Sequence, residues 1–280
     1  MAFVENQGAR IYWDEQGRGE PALLIMGLGY SSVMWHRTRP ALTARYRTIV
    51  LDNRGVGRSD TPPGPYSIRL MASDAAAVLD AAGSESAHII GVSMGGMIAQ
   101  EFALQYPQRV LSLILGCTAA GGPTAVRAEA EATAMLMMRG NMSREQAAEA
   151  AVPFIYDRNT PRERIDEDLA IRRPWFPSPE GYWAQLQGIL GWEAYSRLDQ
   201  ITARTLVMHG ESDRLVPPGN ANLIAGRIPG AKLIIIPSAG HLFITDQPEA
   251  ANRAILEFLA IHGSGSAAGG NVIEEEKAAC

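Results

Sequence analysis

The stretch Gly91-Val92-Ser93-Met94-Gly95 decides the fold of this chain. It follows the apolar run Ala87-His88-Ile89-Ile90 and precedes a helical pattern over residues 97–103. The order strand, G-x-S-x-G, helix is typical of a turn so sharp that it lifts the serine hydroxyl above the edge of a sheet. The two glycines are needed because a Cβ at either position would collide with the neighbouring strand or helix. The sequence therefore predicts that Ser93 is a nucleophile on a strand–turn–helix unit.

Short apolar runs alternate with amphipathic helical stretches on both sides of this turn. Before them, residues 3–14 alternate as a hairpin does, with Gln7-Gly8 as its turn. Continuous apolar strands that alternate with helices indicate an α/β protein with a mostly parallel sheet covered on both faces. The predicted strands are residues 22–26, 48–51, 88–90, 110–115, 205–208 and 233–236, and the predicted helices are residues 33–46, 68–82, 97–103 and 248–261.

Residues 120–200 interrupt this alternation with a purely helical pattern. Ser143 and Thr160 each begin a capping box, the second with Pro161 at the first helical position, and Ser178-Pro179 opens a third helix. We interpret this segment as a helical cap inserted into one core domain.

The predicted domain organisation follows from this interruption. The core comprises residues 1–119 and 201–262, the cap residues 120–200, and a final extension residues 263–280. The extension is rich in Gly and Ser and then acidic, which is typical of a flexible segment, either native or added.

The composition excludes several classes of protein. The chain has 280 residues, 46% of them hydrophobic and 20% charged, as in a globular protein with a large core. A net charge of −5 and the lack of a dense Lys/Arg run argue against nucleic acid as a partner. No apolar segment approaches the roughly 20 residues of a membrane span, and the first residues lack the pattern of a secretory signal.

Cysteine usage indicates the compartment. Cys117 and Cys280 are the only cysteines, so we expect no disulfide framework and a cytoplasmic location. Neither cysteine has ligand spacing, and with five histidines in the chain we expect no metal site. The expected partner is a small molecule, and a homo-oligomer stays open.

A serine nucleophile needs a base that takes its proton and an acid that orients the base. Asp213 lies in the loop after the strand 205–208, and His241 lies in the loop after the strand 233–236. Because the carboxyl ends of parallel strands meet at one edge of the sheet, Ser93, Asp213 and His241 are predicted to converge. Their order along the chain is that of the G-x-S-x-G hydrolases.

Two other carboxylates and four other histidines compete for these roles. Glu211 comes early in its loop and Asp246 follows the histidine, so loop position favours Asp213. The competing bases are His36, His88, His209 and His262. His88 lies within a strand, His209 at the end of a strand and His262 at the chain end, and these positions favour structural roles. His36 lies beside the expected pocket entrance and could contact substrate.

Two backbone amides are predicted to hold the oxyanion. The Met94 amide follows the serine directly, and the glycines on either side of Leu28 would let its amide approach Ser93. An ordinary Gly-rich turn is the alternative for the Leu28 loop. Residues 52–59 look like a phosphate loop but match neither phosphate-binding spacing, so we predict a structural turn pinned by Asp and Arg side chains.

The cap holds many large apolar side chains, most of which must pack between cap and sheet. We expect some of them to line an apolar pocket above Ser93. The predicted pocket residues are His36, Met138, Trp175 and Trp183. The cap arginines Arg127, Arg139, Arg172 and Arg173 are expected to be solvated, with one of them available for a substrate carboxylate.

These motifs together resemble the α/β-hydrolase superfamily over essentially the whole chain before residue 263. The matching pieces are Met26-Gly27-Leu28-Gly29, residues 52–59, Gly91-Val92-Ser93-Met94-Gly95-Gly96, residues 210–217 and Ala239-Gly240-His241. The resemblance implies the α/β-hydrolase fold, a mostly parallel sheet flanked by helices with an inserted helical cap.

The Ser-Met-Gly-Gly-Met elbow resembles the elbow of one branch of this superfamily. That branch contains 3-oxoadipate enol-lactonases, small carboxylesterases and haloperoxidase-like perhydrolases. Many relatives begin the oxyanion loop with His-Gly, where this chain has Met26-Gly27. The serine separates the chain from haloalkane dehalogenases and epoxide hydrolases, whose nucleophile is an aspartate.

The leading hypothesis is a cofactor-free serine hydrolase that acts on an ester or lactone of a small, largely apolar molecule. Carbon–carbon bond hydrolysis and perhydrolysis use the same triad in this fold and stay open. From another class, a non-catalytic ligand-binding protein could share the fold, but all three triad positions are filled here.

Overall fold

The computed structural model describes residues 2–261. The chain begins with the predicted hairpin, in which β1 (Ala2–Asn6) pairs antiparallel with β2 (Ala9–Gln16). Gln7 and Gly8 form its turn with φ of 45° and 77°, in the left-handed region. The extension 263–280, His262 and Cys280 lie outside the described residues, so the predictions for them stay predictions.

Eight strands form one sheet in the order β1-β2-β4-β3-β5-β6-β7-β8. The strands from β3 onward run parallel, and β2 joins them antiparallel to β4. The predicted α/β class and mostly parallel sheet are confirmed. The remaining strands are β3 (Pro21–Ile25), β4 (Arg47–Leu51), β5 (Ala87–Val92), β6 (Val110–Gly116), β7 (Thr205–Gly210) and β8 (Lys232–Ile236).

Helices cover both faces of this sheet. They are α1 (Arg39–Thr43), α2 (Ile68–Ala81), α3 (Met94–Gln105), α4 (Ala130–Arg139), α5 (Arg144–Ile155), α6 (Arg162–Arg172), α7 (Pro179–Leu190), α8 (Gly219–Arg227), α9 (Phe243–Asp246) and α10 (Pro248–Ala260). Alternate residues of each strand point to opposite faces, so Leu23 packs in one apolar layer with α2, α3 and α8. Its neighbour Leu24 packs in the other layer with α1 and α10.

The prediction of one continuous helix over residues 33–46 is wrong. A 3-10 helix, Ser32–Arg37, comes first, and α1 follows after Thr38. Pro40 lies in the first turn of α1, where its missing N–H is harmless. It could not lie in the middle of a helix that began at residue 33. Helix α8, which follows the Asp213 loop, was absent from the sequence prediction.

Four helices, α4 to α7, lie between β6 and β7, in the segment predicted to be the cap. The Ser143 capping box and the Ser178 N-cap are present. The capping box at Thr160 is wrong, because Pro161 is the N-cap of α6 and the Thr160 hydroxyl donates to Asp246 instead. Within residues 2–261, no helix is long and apolar enough to cross a membrane.

Candidate active site

Ser93 lies in the turn between β5 and α3. Its φ of 57° and ψ of −123° are rare for a residue with a side chain, and such strained positions cluster at active sites. A Cβ on Gly91 would overlap the carbonyl oxygen of Gly95, and a Cβ on Gly95 would overlap that of Ile25. The Thr118 hydroxyl donates to the Ser93 carbonyl oxygen at 2.7 Å. The turn thus has the close backbone packing that its two glycines predict.

Asp213 and His241 lie in the loops after β7 and β8 and contact each other. Nδ1 of His241 is 2.8 Å from Oδ2 of Asp213. The other carboxylate oxygen accepts the amides of Leu215 and Val216 at 2.9 and 2.8 Å. These contacts orient the imidazole with Nε2 left for another partner. The structure therefore brings the predicted base and acid together.

The charge state of Asp213 follows from its surroundings. Burial by itself raises the pKa of this carboxyl, but the His241 charge and hydrogen bonds from His209 and His241 outweigh it. The pKa of Asp213 therefore lies below its ordinary value, and the group is a carboxylate at neutral pH.

His209 is a partner of Asp213 that sequence reasoning missed. Its Nε2 is 3.1 Å from Oδ2 of Asp213 and 2.7 Å from the carbonyl oxygen of Val216, and the ring is fully buried. A proton on Nε2 serves both acceptors. The only signal in the sequence was the spacing of four residues between His209 and Asp213.

The rival carboxylates do not contact His241. Glu211 is exposed, whereas Asp246 is buried and accepts the amide of Gly240 at 2.7 Å. Asp246 also accepts the amide of Asp157 at 3.1 Å and the hydroxyl of Thr160 at 2.7 Å. Burial raises the pKa of Asp246 to about 6. Its position makes Asp246 an anchor between the His241 loop and the cap.

Two further hydrogen bonds join the cap to the same loops. The amide of Leu242 donates to the carbonyl oxygen of Ile155 at 2.7 Å, and the hydroxyl of Ser212 donates to Asp157 at 2.6 Å. Together with the Asp246 contacts, these bonds form what we call the cap seam, between residues 155–160 of the cap and the loops that carry Asp213 and His241.

Leu28 and Met94, the residues predicted to supply the oxyanion amides, line the same cavity as Ser93. Met94 is the first residue of α3, and the first N–H groups of a helix have no partner within it. In the loop after β3, Gly29 donates its amide to Gln185 and Tyr30 donates to Gly27. The Leu28 amide takes no part in these bonds. The predicted oxyanion role of these two amides stays a prediction.

The described residues show no hydrogen bond between Ser93 Oγ and His241. Both residues line one cavity, and catalytic contacts commonly tighten only when substrate binds.

Cys117 lies beside the candidate triad. One ligand atom each from Cys117, Asp213 and His241 lies within 4.8 Å of the others, which is close enough for a metal ion. Burial raises the pKa of the Cys117 thiol, however, and the thiolate is the form that binds metal. Asp213 also has both oxygens engaged in hydrogen bonds. This geometry suits a triad better than a metal centre.

The loop over residues 52–59 is the predicted structural turn. Asp52 accepts the amide and hydroxyl of Ser32, both at 2.7 Å, and the amide of Arg58 at 2.9 Å. The guanidinium of Arg54 donates to both oxygens of Asp74, at 2.7 and 2.6 Å. The charged side chains of this loop are thus engaged within the protein.

The cavity above Ser93 is small and mostly apolar, with a volume of about 90 Å³. Core loops and the helices α4, α5 and α7 enclose it. The side chains that line it include Met97, Leu136, Ile155, Leu186, Ile189, Leu215, Val216 and Leu242. Its polar lining groups, among the described residues, are Ser93, His241, Tyr30, Cys117 and Arg139.

None of the four predicted pocket residues lines this cavity, so that prediction is corrected. His36 lies 3.4 Å from the Asp168 carboxylate on α6, and burial lowers its pKa. Met138 is 56% exposed. The Trp175 ring lies 3.7 Å from the Arg58 guanidinium carbon, and Trp183 packs edge-on against Tyr182.

The expectation for the cap arginines is half right. Arg127 and Arg173 are exposed, but Arg139 and Arg172 are buried, with exposures of 9% and 2%. Arg139 lines the cavity, and Arg172 donates to the hydroxyl of Tyr30 at 2.9 Å. Sequence reasoning placed both at the solvent face.

Known proteins share this arrangement of strands and helices. A sequence profile described as alpha/beta hydrolase fold matches residues 21–151 and 167–248. The chain is 33% identical, over 261 residues, to a putative carbamate hydrolase RutD of Azorhizobium caulinodans, covering 92% of this chain and 98% of the relative.

Two solved structures are also similar. A thermophilic esterase from Thermogutta terrifontis superposes with a TM-score of 0.81 at 29% identity, covering 93% of this chain and 98% of the esterase. The enol-lactonase from Burkholderia xenovorans LB400 superposes with a TM-score of 0.84 at 22% identity, covering 92% and 100%, and supports the fold alone. The resemblance drawn from the motifs is confirmed, and the chain belongs to the α/β-hydrolase fold family.

Proposed function

We propose that this protein is a serine hydrolase that cleaves an ester or lactone of a small molecule through a Ser93–His241–Asp213 triad. The observation that carries the proposal is one cavity that holds a serine on a strained elbow and an imidazole bonded to a buried carboxylate. A relative named as a carbamate hydrolase and a similar solved esterase support cleavage at a carbonyl carbon.

The first half of the reaction forms an acyl-enzyme. Nε2 of His241 takes the proton of the Ser93 hydroxyl as Oγ bonds to the substrate carbonyl carbon. The Leu28 and Met94 amides hold the oxyanion, and Asp213 stabilises the imidazolium. The carbon–oxygen bond to the leaving group then breaks, and His241 gives its proton to the departing alkoxide.

The second half releases the acid. A water molecule bonds to the acyl carbon while His241 takes one of its protons. The bond to Ser93 breaks, the serine oxygen regains a proton from His241, and the free acid leaves. Each step uses groups of this chain and water alone.

The cavity supports a small substrate. Its volume excludes long acyl groups from the closed structure. The position of α4, α5 and α7 over Ser93 supports a role for the cap in selecting the substrate.

The test combines turnover and covalent labelling. We expect the wild type to hydrolyse members of a panel of short p-nitrophenyl esters, lactones and carbamates, and to react with a fluorophosphonate probe at Ser93. Ser93→Ala should lose both properties and keep its circular dichroism spectrum and thermal unfolding transition.

Ser86→Ala is the matched control, because Ser86 lies just before β5, at the end opposite Ser93. It should retain labelling and turnover. Labelling that persists in Ser93→Ala, or a wild type inert to the probe and the whole panel, contradicts the proposal. Product analysis on a 1,3-diketone and on an ester with peroxide separates carbon–carbon hydrolysis and perhydrolysis from ester cleavage.

A further inference from the structure

One charged side chain borders the Ser93 cavity without an acidic partner. Arg139 is the last residue of α4 and is 9% exposed. Its Nε is buried and has no hydrogen-bond partner. The ion pairs found among residues 2–261 do not include Arg139.

The nearest groups do not neutralise this guanidinium. Its carbon lies 5.4 Å from the ring centre of Tyr182, whose hydroxyl donates to the carbonyl oxygen of Leu136 at 2.8 Å. Burial raises the pKa of Tyr182, and the neighbouring Arg139 charge partly offsets that rise. A neutral phenol and a ring face stabilise a buried cation only weakly compared with a carboxylate.

A second buried arginine, Arg172, lies behind Tyr30, with its guanidinium carbon 3.9 Å from the ring centre of Tyr30. Arg172 is 2% exposed, and its Nε and Nη2 lack hydrogen-bond partners. Nη1 donates to the hydroxyl of Tyr30, which leaves the phenolic proton available for another acceptor. Tyr30 lines the cavity, so Arg172 is separated from the cavity by this one side chain.

Arg54 provides a comparison, because it is a fully buried arginine that has an acidic partner. Arg54, also 2% exposed, donates two short hydrogen bonds to Asp74. Burying a charge is unfavourable unless a partner compensates it. Arg139 lines both the Ser93 cavity and a neighbouring depression beside residues 176–179, and neither lining contains a carboxylate. Its guanidinium is therefore a place for an anionic ligand.

We infer that Arg139 forms an anion subsite in the Ser93 cavity, and that the preferred substrates are small esters or lactones that carry a carboxylate. The inference rests on the proposed serine hydrolase function. The planar fork of Arg139 would donate to the carboxylate, with the Tyr30 hydroxyl available as a further donor. The apolar side chains between this group and Ser93 would pack on the carbon chain of the substrate.

The experiment compares substrates that differ in one group. On the acyl side, mono-p-nitrophenyl glutarate is paired with p-nitrophenyl 5-methylhexanoate, which has an isopropyl group in place of the carboxylate. On the alcohol side, acetoxyacetate is paired with isobutyl acetate. For at least one pair, we expect kcat/KM to be at least tenfold higher for the anionic member.

Variants then assign this preference to a residue. Arg139→Met should lower kcat/KM for the preferred anionic substrate about 10- to 100-fold, the size of a lost hydrogen bond to a charged group. For its neutral isostere the change should stay under threefold. Arg139→Lys keeps the charge but not the fork and should fall between the two.

Arg127→Met is the control, because Arg127 is an exposed arginine of the segment just before α4. It should leave the ratio of anionic to neutral kcat/KM unchanged. The fluorophosphonate reaction at Ser93 should also persist in Arg139→Met, which shows that the variant is folded and has an active serine.

The outcomes separate the two proposals. A wild type that favours the neutral member of both pairs overturns the anion subsite even if Arg139→Met does not fold. So does an Arg139→Met variant that keeps the preference. If the wild type hydrolyses none of the substrates and its Ser93 is not labelled, the serine hydrolase function itself is overturned.

Discussion

The core side and the cap side of the molecule, which we call the sheet wall and the cap wall, differ in how their buried charged groups are paired. On the sheet side, Asp213 accepts four hydrogen bonds and Arg54 is fully paired with Asp74. On the cap side, Arg139 and Arg172 are buried without an acidic partner among residues 2–261. The charged groups of the sheet wall thus have their hydrogen-bond partners before substrate binds. On the cap wall, N–H groups of the two arginines still lack a partner. Under the proposed function, the chemistry belongs to the sheet wall and the choice of substrate to the cap wall.

The largest effect should come from the sheet wall. Asp213→Asn should lower kcat about 10⁴-fold, because an amide neither stabilises the imidazolium nor fixes its tautomer. Glu211→Gln, in the same loop but exposed, should change kcat less than threefold. Steady-state kinetics on the best ester of the panel measures both. Similar losses in the two variants would contradict the assignment of Asp213.

The pairing difference itself predicts effects of different size on the free energy of unfolding. Arg54→Leu should lower the free energy of unfolding by about 3–5 kcal/mol, because it leaves Asp74 buried and unpaired. Arg172→Leu leaves no buried carboxylate behind, so its change should stay within about 1 kcal/mol. Urea denaturation of both variants measures this contrast. An equal loss in both would mean that Arg172 has a compensating partner.

The anchor between the walls should respond to pH. The pKa of Asp246 is about 6 in the folded protein, because the group is buried, against about 3.9 in an unfolded chain. Its protonation therefore stabilises the fold fully below about pH 4, and this contribution is lost as the pH rises through about 6.

Asp246→Asn imitates the protonated acid at every pH. The free energy of unfolding of this variant, relative to the wild type, should therefore rise by about 2 kcal/mol between pH 4 and pH 7. Denaturation curves at four pH values measure it. Parallel pH profiles for the two proteins would show that Asp246 is not the titrating group.

The smallest effect tests the second contact of Asp213. His209→Leu removes a hydrogen bond to that carboxylate and should lower kcat about tenfold, within the range of one buried hydrogen bond. His209→Gln keeps an N–H donor and should lose less. If both variants match the wild type, His209 does not position the acid.

The elbow and the parallel strands were predictable because local sequence determines them. Gly91 and Gly95 fill positions where any Cβ would meet backbone, and the apolar runs have no other stable environment than a covered sheet. The order of serine, acid and base along the chain then placed Asp213 and His241 at one edge. No packing detail was needed for these predictions.

The cap pocket was not predictable in this way. Met138 was expected inside and its neighbour Arg139 outside, and the structure has them reversed, with Met138 56% exposed. Hydrophobicity is a poor guide at the last turn of α4, because the long arginine stem is itself apolar and packs well. The face that a cap helix turns toward the serine depends on how the cap sits on the core. One sequence holds no local signal for that placement.

The cap seam sets a rule for building altered enzymes from this chain. Residues 155–160 bond to the loops of both Asp213 and His241, so they support the proposed triad although they lie within the cap segment. A chimaera that exchanges all of residues 120–200 would remove these bonds together with the pocket. A transplant that keeps residues 155–160 and exchanges α4 and α7 would change the cap wall and leave the proposed triad supported.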